Sequence, residues 1–331
     1  MRAIVLRQYG GPEVLRVMEA PDPTPGPEEV LVGVRAAGVN RADLAQREGR
    51  YPPPGPRSQN EVPGLEFAGV VVAAGERVER HRVGDRVFGL LPGGGYAQRV
   101  ATHERMAMPT PDALSDEEAA AVPEVFLTAY DALHAQIGLR AGESVLVHAI
   151  GSGVGTAALQ LAREAGARVY GTARSAAKCT RAMEMGCALA VDMRDADQDF
   201  AASVVAANGA RGVDAVLDLV GGAYLGRNLT AMGPLGRMVV LALVGGRTAE
   251  IDLGLLMGKR LCVMGSGLRA RGIEEKIALT QAFERLALPR FAAGGLRPVV
   301  DRVLPWEDAP EAHRALAASE VFGKVVLRIG G

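Results

Sequence analysis

From Pro123 onward the chain alternates short, wholly apolar runs with helical patterns, and this alternation constrains the fold more than any other feature. Residues 144–149 precede a helical pattern over 154–165, residues 168–172 one over 175–185, and residues 213–219 one over 224–232. A strand without polar alternation is buried on both faces, an environment supplied by a parallel sheet whose crossover helices cover it. Two further apolar runs, 237–244 and 261–265, bring the strand candidates to five of the six expected of a doubly wound α/β sheet.

Residues 1 to about 120 have another texture. Strand candidates at 29–36, 70–74 and 86–88 are separated by the proline-rich runs 21–27 and 51–56 and by the glycines 93–95, so this part reads as mainly β. Beyond Gly267 come a long helical pattern over 273–293, a second near 306–317 and a terminal strand at 324–329. A chain that has finished its sheet must still bury those apolar faces, and the tail is expected to pack on the first domain. A length of 331 residues fits two domains. The expected division is 1–121 with 267–331 against 122–266.

Charge excludes some functions. With 37 basic against 38 acidic residues there is no surplus for wrapping nucleic acid, and the expectation is no nucleic-acid partner. The first apolar run, residues 3–6 between Arg2 and Arg7, is too short for a signal segment or a membrane span, so a cytoplasmic protein without membrane contact is expected. Cys179, Cys187 and Cys262 form no CxxC pair, which suits a reducing compartment.

The first strand-to-helix junction carries the chemistry. Ala149, Ser152, Gly153, Val154 and Gly155 lie where a buried strand turns into a helix. Small residues there let backbone N–H groups and the positive helix end approach a pyrophosphate. A strict GxGxxG fails because Thr156 stands at the third glycine position, so the motif alone also reads as a tight turn without ligand. Its place in a repeated βα pattern favours a dinucleotide. NAD enzymes normally place a carboxylate at the end of the second strand for the ribose 2′-hydroxyl. Here Ala173 stands there, followed by Arg174, Ser175 and Lys178, with no Asp or Glu from 165 to 183. A solvated cationic helix face explains the charges but not the missing acid. A 2′-phosphate matches both, and the expected cofactor is NADPH.

These residues resemble the medium-chain dehydrogenase/reductase superfamily. Gly64-Leu65-Glu66 through Gly69 is similar to the GHExxG signature of the zinc alcohol dehydrogenases with Leu65 in place of the ligating His. Asn40 stands where those enzymes carry a zinc-binding Cys, and the five histidines lack ligand spacing, so no metal is expected. The stretches 38–43, 47–51, 91–95 and 146–160 resemble the zinc-independent, zeta-crystallin-like quinone oxidoreductases. Pro123-Glu124, 127–129, 152–155 and 267–271 resemble their stress-inducible NADPH subgroup. The resemblance implies a Rossmann domain with a GroES-like, mainly β catalytic domain, a cleft between them, and a homodimer joined through 261–265. It also implies that Thr128, Leu243, Gly245, Ser266 and Leu268 line the nicotinamide, that Lys324 meets the cofactor phosphates, and that Asn40 and Tyr51 line the substrate site.

Without a Lewis acid, ordinary alcohols are poor substrates, since neutral side chains stabilise an alkoxide poorly. Quinones are already electrophilic and accept hydride from nicotinamide C4 once positioned. Tyr51, with an ordinary phenol pKa near 10, would donate a hydrogen bond or proton; read without the resemblance, it anchors a proline-rich loop. Asn40 would orient the acceptor oxygen. An enoyl or enone reductase is the alternative within the fold. A crystallin-like or RNA-binding protein with weak catalysis is the alternative of another class.

Overall fold

The apolar strands after Pro123 do form a parallel sheet, whose central strands are buried on both faces. The structure, a computed structural model, describes residues 1–53, 61–195 and 198–330. Part of the proline-rich run, residues 54–56, lies outside the described residues. Two compact units divide between Leu127 and Thr128 and again between Leu268 and Arg269. Residues 122–127, expected in the nucleotide-binding domain, group instead with the first unit. This stretch also bonds within that unit, the Glu124 N–H donating to Glu66 Oε2 at 2.7 Å.

The second unit, Thr128–Leu268, holds a six-stranded, all-parallel sheet. Its strands lie in the order Leu189–Asp192, Arg168–Ala173, Ser144–Val147, Val213–Asp218, Met232–Val240 and Cys262–Gly265. This is the doubly wound order, in which the chain reverses direction beside Ser144–Val147 and leaves a ligand crevice at the carboxyl ends of the central strands. Leu146, Tyr170, Phe200, Val216 and Met238 fill the core between sheet and helices. Leu189–Asp192 is the strand the sequence pattern did not single out; only Val191 is buried there, so no apolar run marks it. The run at 237–244 also ends early, at Val240. Its neighbour stops at Asp218, whose carbonyl takes the Leu241 N–H at 2.8 Å, and beyond that point no ladder partner remains.

The first unit comprises Met1–Leu127 and Arg269–Gly331, so the tail does join it. Its main sheet runs Val300–Pro305, Lys324–Arg328, Glu29–Val39, Glu66–Ala74, Arg86–Leu90 and Ala107–Pro109, with Arg99–His103 also paired to Glu29–Val39. All pairs are antiparallel except Val300–Pro305 with Lys324–Arg328. The tail helix Ile273–Ala292 is tied down by Arg80, which makes two 2.9 Å bonds to Glu284. Trp306, wholly buried, packs in the same core as Phe67, Tyr96 and Val325. The register sets Val325 opposite Val39, which brings Lys324 to the end of the long strand, beside Asn40.

Candidate active site

The glycine turn of the second unit is fixed by its own backbone. Ile150 donates to the Thr172 carbonyl at 2.9 Å and Ser152 to that of Ala149 at 2.8 Å. Ala149 adopts the left-handed region, φ 47°, at a cost of about 1–2 kcal/mol for a residue with a Cβ. Ser152 caps the helix Gly153–Glu164, its Oγ accepting from the Gly155 N–H at 3.0 Å. A Cβ at Gly155 would lie 2.6 Å from the Ile150 carbonyl oxygen and still closer to that of Ala149, so only glycine fits. In the first turn, the N–H groups of Gly153 and Val154 have no intrahelical acceptor, as at any helix start. Unpaired N–H groups at a helix start are suited to an anion such as a pyrophosphate.

At the end of the second strand Ala173 is buried, Arg174 is exposed, Ser175 is the N-cap of Ala176–Glu184, and Lys178 lies in that helix's first turn. Burial raises the Tyr224 phenol above its usual range, while the charges of Arg227 and Arg174 pull it back, which places Tyr224 within reach of the expected phosphate-binding cations. The Arg227 guanidinium covers the Tyr224 ring at 4.9 Å and the Phe200 ring at 4.8 Å.

Beneath the crevice lies a network that sequence reasoning missed. His148, fully buried, meets Thr172 Oγ1 at 2.9 Å through Nδ1 and Asn228 Oδ1 at 2.7 Å through Nε2. Asn228 in turn donates to Asp218 Oδ2 at 3.2 Å, and Asp218 Oδ1 accepts the N–H groups of Val220 and Gly221 at 2.8 and 3.0 Å. Burial holds the imidazole pKa below its usual value and outweighs the opposing Asp218 charge. The neutral ring therefore donates from Nε2 and accepts at Nδ1. A histidine ending a buried strand was the available signal. The network ties together the carboxyl ends of three central strands, where a dinucleotide would lie.

The positions expected near the nicotinamide are distributed as follows. Leu243 is 47% exposed in the turn after Val240. Gly245 donates to the Val220 carbonyl at 2.7 Å. Ser266 donates from its backbone to the Val240 carbonyl and from Oγ to Asp131 Oδ2 at 2.7 Å, while Leu268 is buried and Thr128 is partly buried. The sheet thus brings Ser266 beside the segment that carries Leu243 and Gly245.

In the first unit, Lys324 requires a correction. Its ammonium is expected at the cofactor phosphates, but it is buried and donates to the Val39 carbonyl at 3.0 Å, Asn40 Oδ1 at 2.6 Å and Glu66 Oε1 at 2.6 Å. All three N–H groups are thereby used, and none remains for a phosphate. Asn40 Nδ2 donates to the same Glu66 oxygen at 2.7 Å, leaving one amide hydrogen for an acceptor. A fixed ammonium thus joins Asn40 and Glu66, next to a buried Leu65 that offers no metal ligand. Among the described residues, no group of three or more His, Cys, Asp or Glu is placed to hold a metal ion. Gly38 is glycine because a Cβ would collide with the Glu66 carboxylate and sit 2.7 Å from the Ala120 carbonyl oxygen.

Two carboxyls beside this pair hold their protons unusually well. Asp43 Oδ2 accepts from the Asn40 N–H at 2.7 Å and from Tyr96 OH at 3.0 Å; burial nevertheless pushes its pKa up to about 6. Burial, then the Glu66 charge, pushes Glu124 up to about 8. Glu124 also acts on Tyr51, whose phenol is raised first by burial and then by that charge, with Arg269 opposing. Tyr51 is 37% exposed and its ring lies under the Arg269 guanidinium at 4.8 Å.

Two outcomes are expected. Lys324→Met strands a buried carboxylate and should cost about 3–5 kcal/mol in urea unfolding, with much of the loss recovered in the Lys324→Met, Glu66→Gln double variant; a single variant as stable as the parent refutes the pair's role. Because the Glu124 pKa is raised on folding, the folded state keeps a proton that the unfolded chain gives up above about 4.5. Its contribution to stability is full below that pH and is lost as pH rises through about 8. Glu124→Gln should remove this decline, measured as the difference between variant and parent in unfolding free energy at pH 5 and pH 8.5.

Comparison with known proteins agrees with this geometry. Residues 26–112 match the alcohol dehydrogenase GroES-like domain and residues 153–285 the zinc-binding dehydrogenase family. The quinone oxidoreductase of Lama guanicoe is 34% identical over 331 residues, 99% of this chain and 97% of that one. A solved NAD-dependent alcohol dehydrogenase superposes with a TM-score of 0.87 at 35% identity, covering 100% of both chains. The Escherichia coli quinone oxidoreductase complexed with NADPH superposes with a TM-score of 0.87 at 29% identity, covering 99% of this chain and 100% of that one. Two units, a doubly wound sheet with its glycine turn, and near full-length identity above 30% make the chain a member of the medium-chain dehydrogenase/reductase superfamily, in its zeta-crystallin-like quinone oxidoreductase group.

Proposed function

We propose that this oxidoreductase uses NADPH to reduce quinones by hydride transfer from nicotinamide C4. The observation that carries the reading is the pairing of a backbone-built turn at 149–155 with a second strand ending in Ala173 and the exposed Arg174. Gly153 and Val154 would hold the pyrophosphate, and Arg174, Ser175 and Lys178 the 2′-phosphate. The NADPH complex of the Escherichia coli relative supports this assignment, while the solved alcohol dehydrogenase is described as NAD-dependent. The terminal carboxylate that favours NAD is missing from this strand, which weighs for NADPH here. When bound, the cofactor supplies the hydride. Thr128, Leu243, Gly245, Ser266 and Leu268 would position its nicotinamide.

In the first unit, Tyr51 would donate to the acceptor oxygen as negative charge develops, and the remaining Asn40 amide hydrogen would orient that oxygen. The buried Lys324–Glu66 pair keeps the Asn40 amide from rotating. Glu124 favours a second reading: a carboxyl still protonated at neutral pH suits the carbon protonation that completes enone reduction. Rates with NADPH on a simple quinone and on an enoyl thioester separate the two, and a large preference for the thioester overturns the quinone assignment. Balanced charge weighs against an RNA-binding role.

Among the described residues no helix is long and apolar enough to cross a membrane. The edge strand Cys262–Gly265 is exposed, with Val263 at 38%, and nearby Leu253 and Met257 are exposed too. An apolar sheet edge of this kind supports a homodimer; a monomer in sedimentation velocity at micromolar concentration removes that part of the proposal. Arg174→Ala should weaken NADPH at least tenfold more than NADH, roughly the worth of a charge-assisted bond to phosphate. Fluorescence titration checks this, and equal losses for the two cofactors remove the 2′-phosphate assignment.

A further inference from the structure

Arg269 is the first residue of the chain's return into the first unit, and its surroundings are unusual for an arginine. It is 8% exposed, and its three bonds all end on neutral oxygens. Nε donates to the Pro92 carbonyl at 2.9 Å, Nη1 to the Tyr51 carbonyl at 2.9 Å, and Nη2 to Gln46 Oε1 at 2.8 Å. The face of the same guanidinium covers the Tyr51 ring at 4.8 Å. One planar group therefore grips Tyr51 twice, by its backbone and by its ring.

The far side of the grip is rigid. Gln46, buried in the helix Arg41–Arg47, donates from Nε2 to Glu61 Oε1 at 2.9 Å, which fixes its amide so that Oε1 faces Arg269. Glu61 also accepts from Tyr9 OH at 3.2 Å, and its carbonyl takes the Leu6 N–H at 2.8 Å. Tyr51 lies just beyond the helix end and is held there by its own N–H to the Ala45 carbonyl at 3.2 Å. Only a fork of several donors in one plane reaches three acceptors and stacks on a ring at once; a lysine has one nitrogen and no face. No carboxylate is among those three acceptors; of the charges that act on the guanidinium, the Tyr51 phenol comes ahead of Asp43, Glu124 and Glu61.

We propose that Arg269 is a positioning residue for the acceptor site, holding the Tyr51 ring at a set angle and placing a positive charge over it. The inference rests on the reading that Tyr51 meets the acceptor. It extends that reading from the donor to the group that aims it.

The test is a cycle of Arg269→Met, Tyr51→Ala and the double variant, with turnover, quinone KM and NADPH affinity measured on each full-length protein. Arg269→Met should lower kcat with quinone by between about 10- and 100-fold, the scale of a misplaced reacting group, while NADPH affinity changes less than about twofold. In the Tyr51→Ala background the same change should lower kcat by less than about twofold, because there is nothing left to aim. A merely structural role would give equal losses in both backgrounds, and that result overturns the proposal. Arg269→Lys keeps the charge and the stem, covers the case in which Arg269→Met fails to fold, and should lose activity like it; parental turnover in Arg269→Lys also overturns it. If Tyr51→Ala by itself leaves both turnover and KM unchanged, the assignment of Tyr51 fails first, and the role of Arg269 falls with it.

Discussion

A lysine ammonium buried against a glutamate carboxylate holds the first unit's candidate site together. Desolvating two charges costs several kcal/mol each, and the pair survives only where every remaining donor and acceptor is met. Here that condition is satisfied: Lys324 spends its hydrogens on Val39, Asn40 and Glu66, and Glu66 takes Asn40 on one oxygen and the Glu124 N–H on the other. The pair and the Val39 carbonyl it uses sit on three strands, Glu29–Val39, Glu66–Ala74 and Lys324–Arg328, the last of which reaches the sheet only as the tail returns to the first unit. Burial raises the neighbouring carboxyls of Asp43 and Glu124, and the two charges of the pair then act in opposite directions: the Glu66 charge outweighs that of Lys324 at Glu124, and the Lys324 charge outweighs that of Glu66 at Asp43.

The second unit achieves its precision by a different route. Its central strands end in an uncharged relay, from Thr172 through His148 and Asn228, that closes on the Asp218 carboxylate. Asp218 is satisfied by two backbone N–H groups, and the imidazole is kept neutral by burial. Fully met polar networks of this kind rigidify a core. What they rigidify here is the set of strand ends on which a dinucleotide would rest.

How much of this was legible in the sequence depended on whether the signal was local. Apolar runs at 144–149 and 168–172 announce buried strands because both faces are apolar, and a parallel sheet follows. The short strand Leu189–Asp192 lies at the sheet edge, half exposed, and carries no such run. The turn at 149–155 was readable because its demands act within seven residues. The destination of Lys324 was not, because its partners Asn40 and Glu66 are more than 250 residues away and are brought to it only by strand register. Arg269 is a similar case: the sequence shows an arginine in a family-like segment, whereas its grip on Gln46 and Tyr51 exists only once the tail has folded back.

The close approach of Gly155 to the carbonyls of Ala149 and Ile150 freezes the first strand-to-helix turn, in contrast to the end of the second strand. Position 155 has no room for even a methyl group, so inheritance or design can alter that stretch only by giving up the turn. Residues 174–178 are at least partly exposed and project from a helix start, where a side chain can be exchanged without disturbing backbone. On the proposed assignment of the 2′-phosphate to that segment, coenzyme preference would drift along a few residues while the adjoining loop stays fixed.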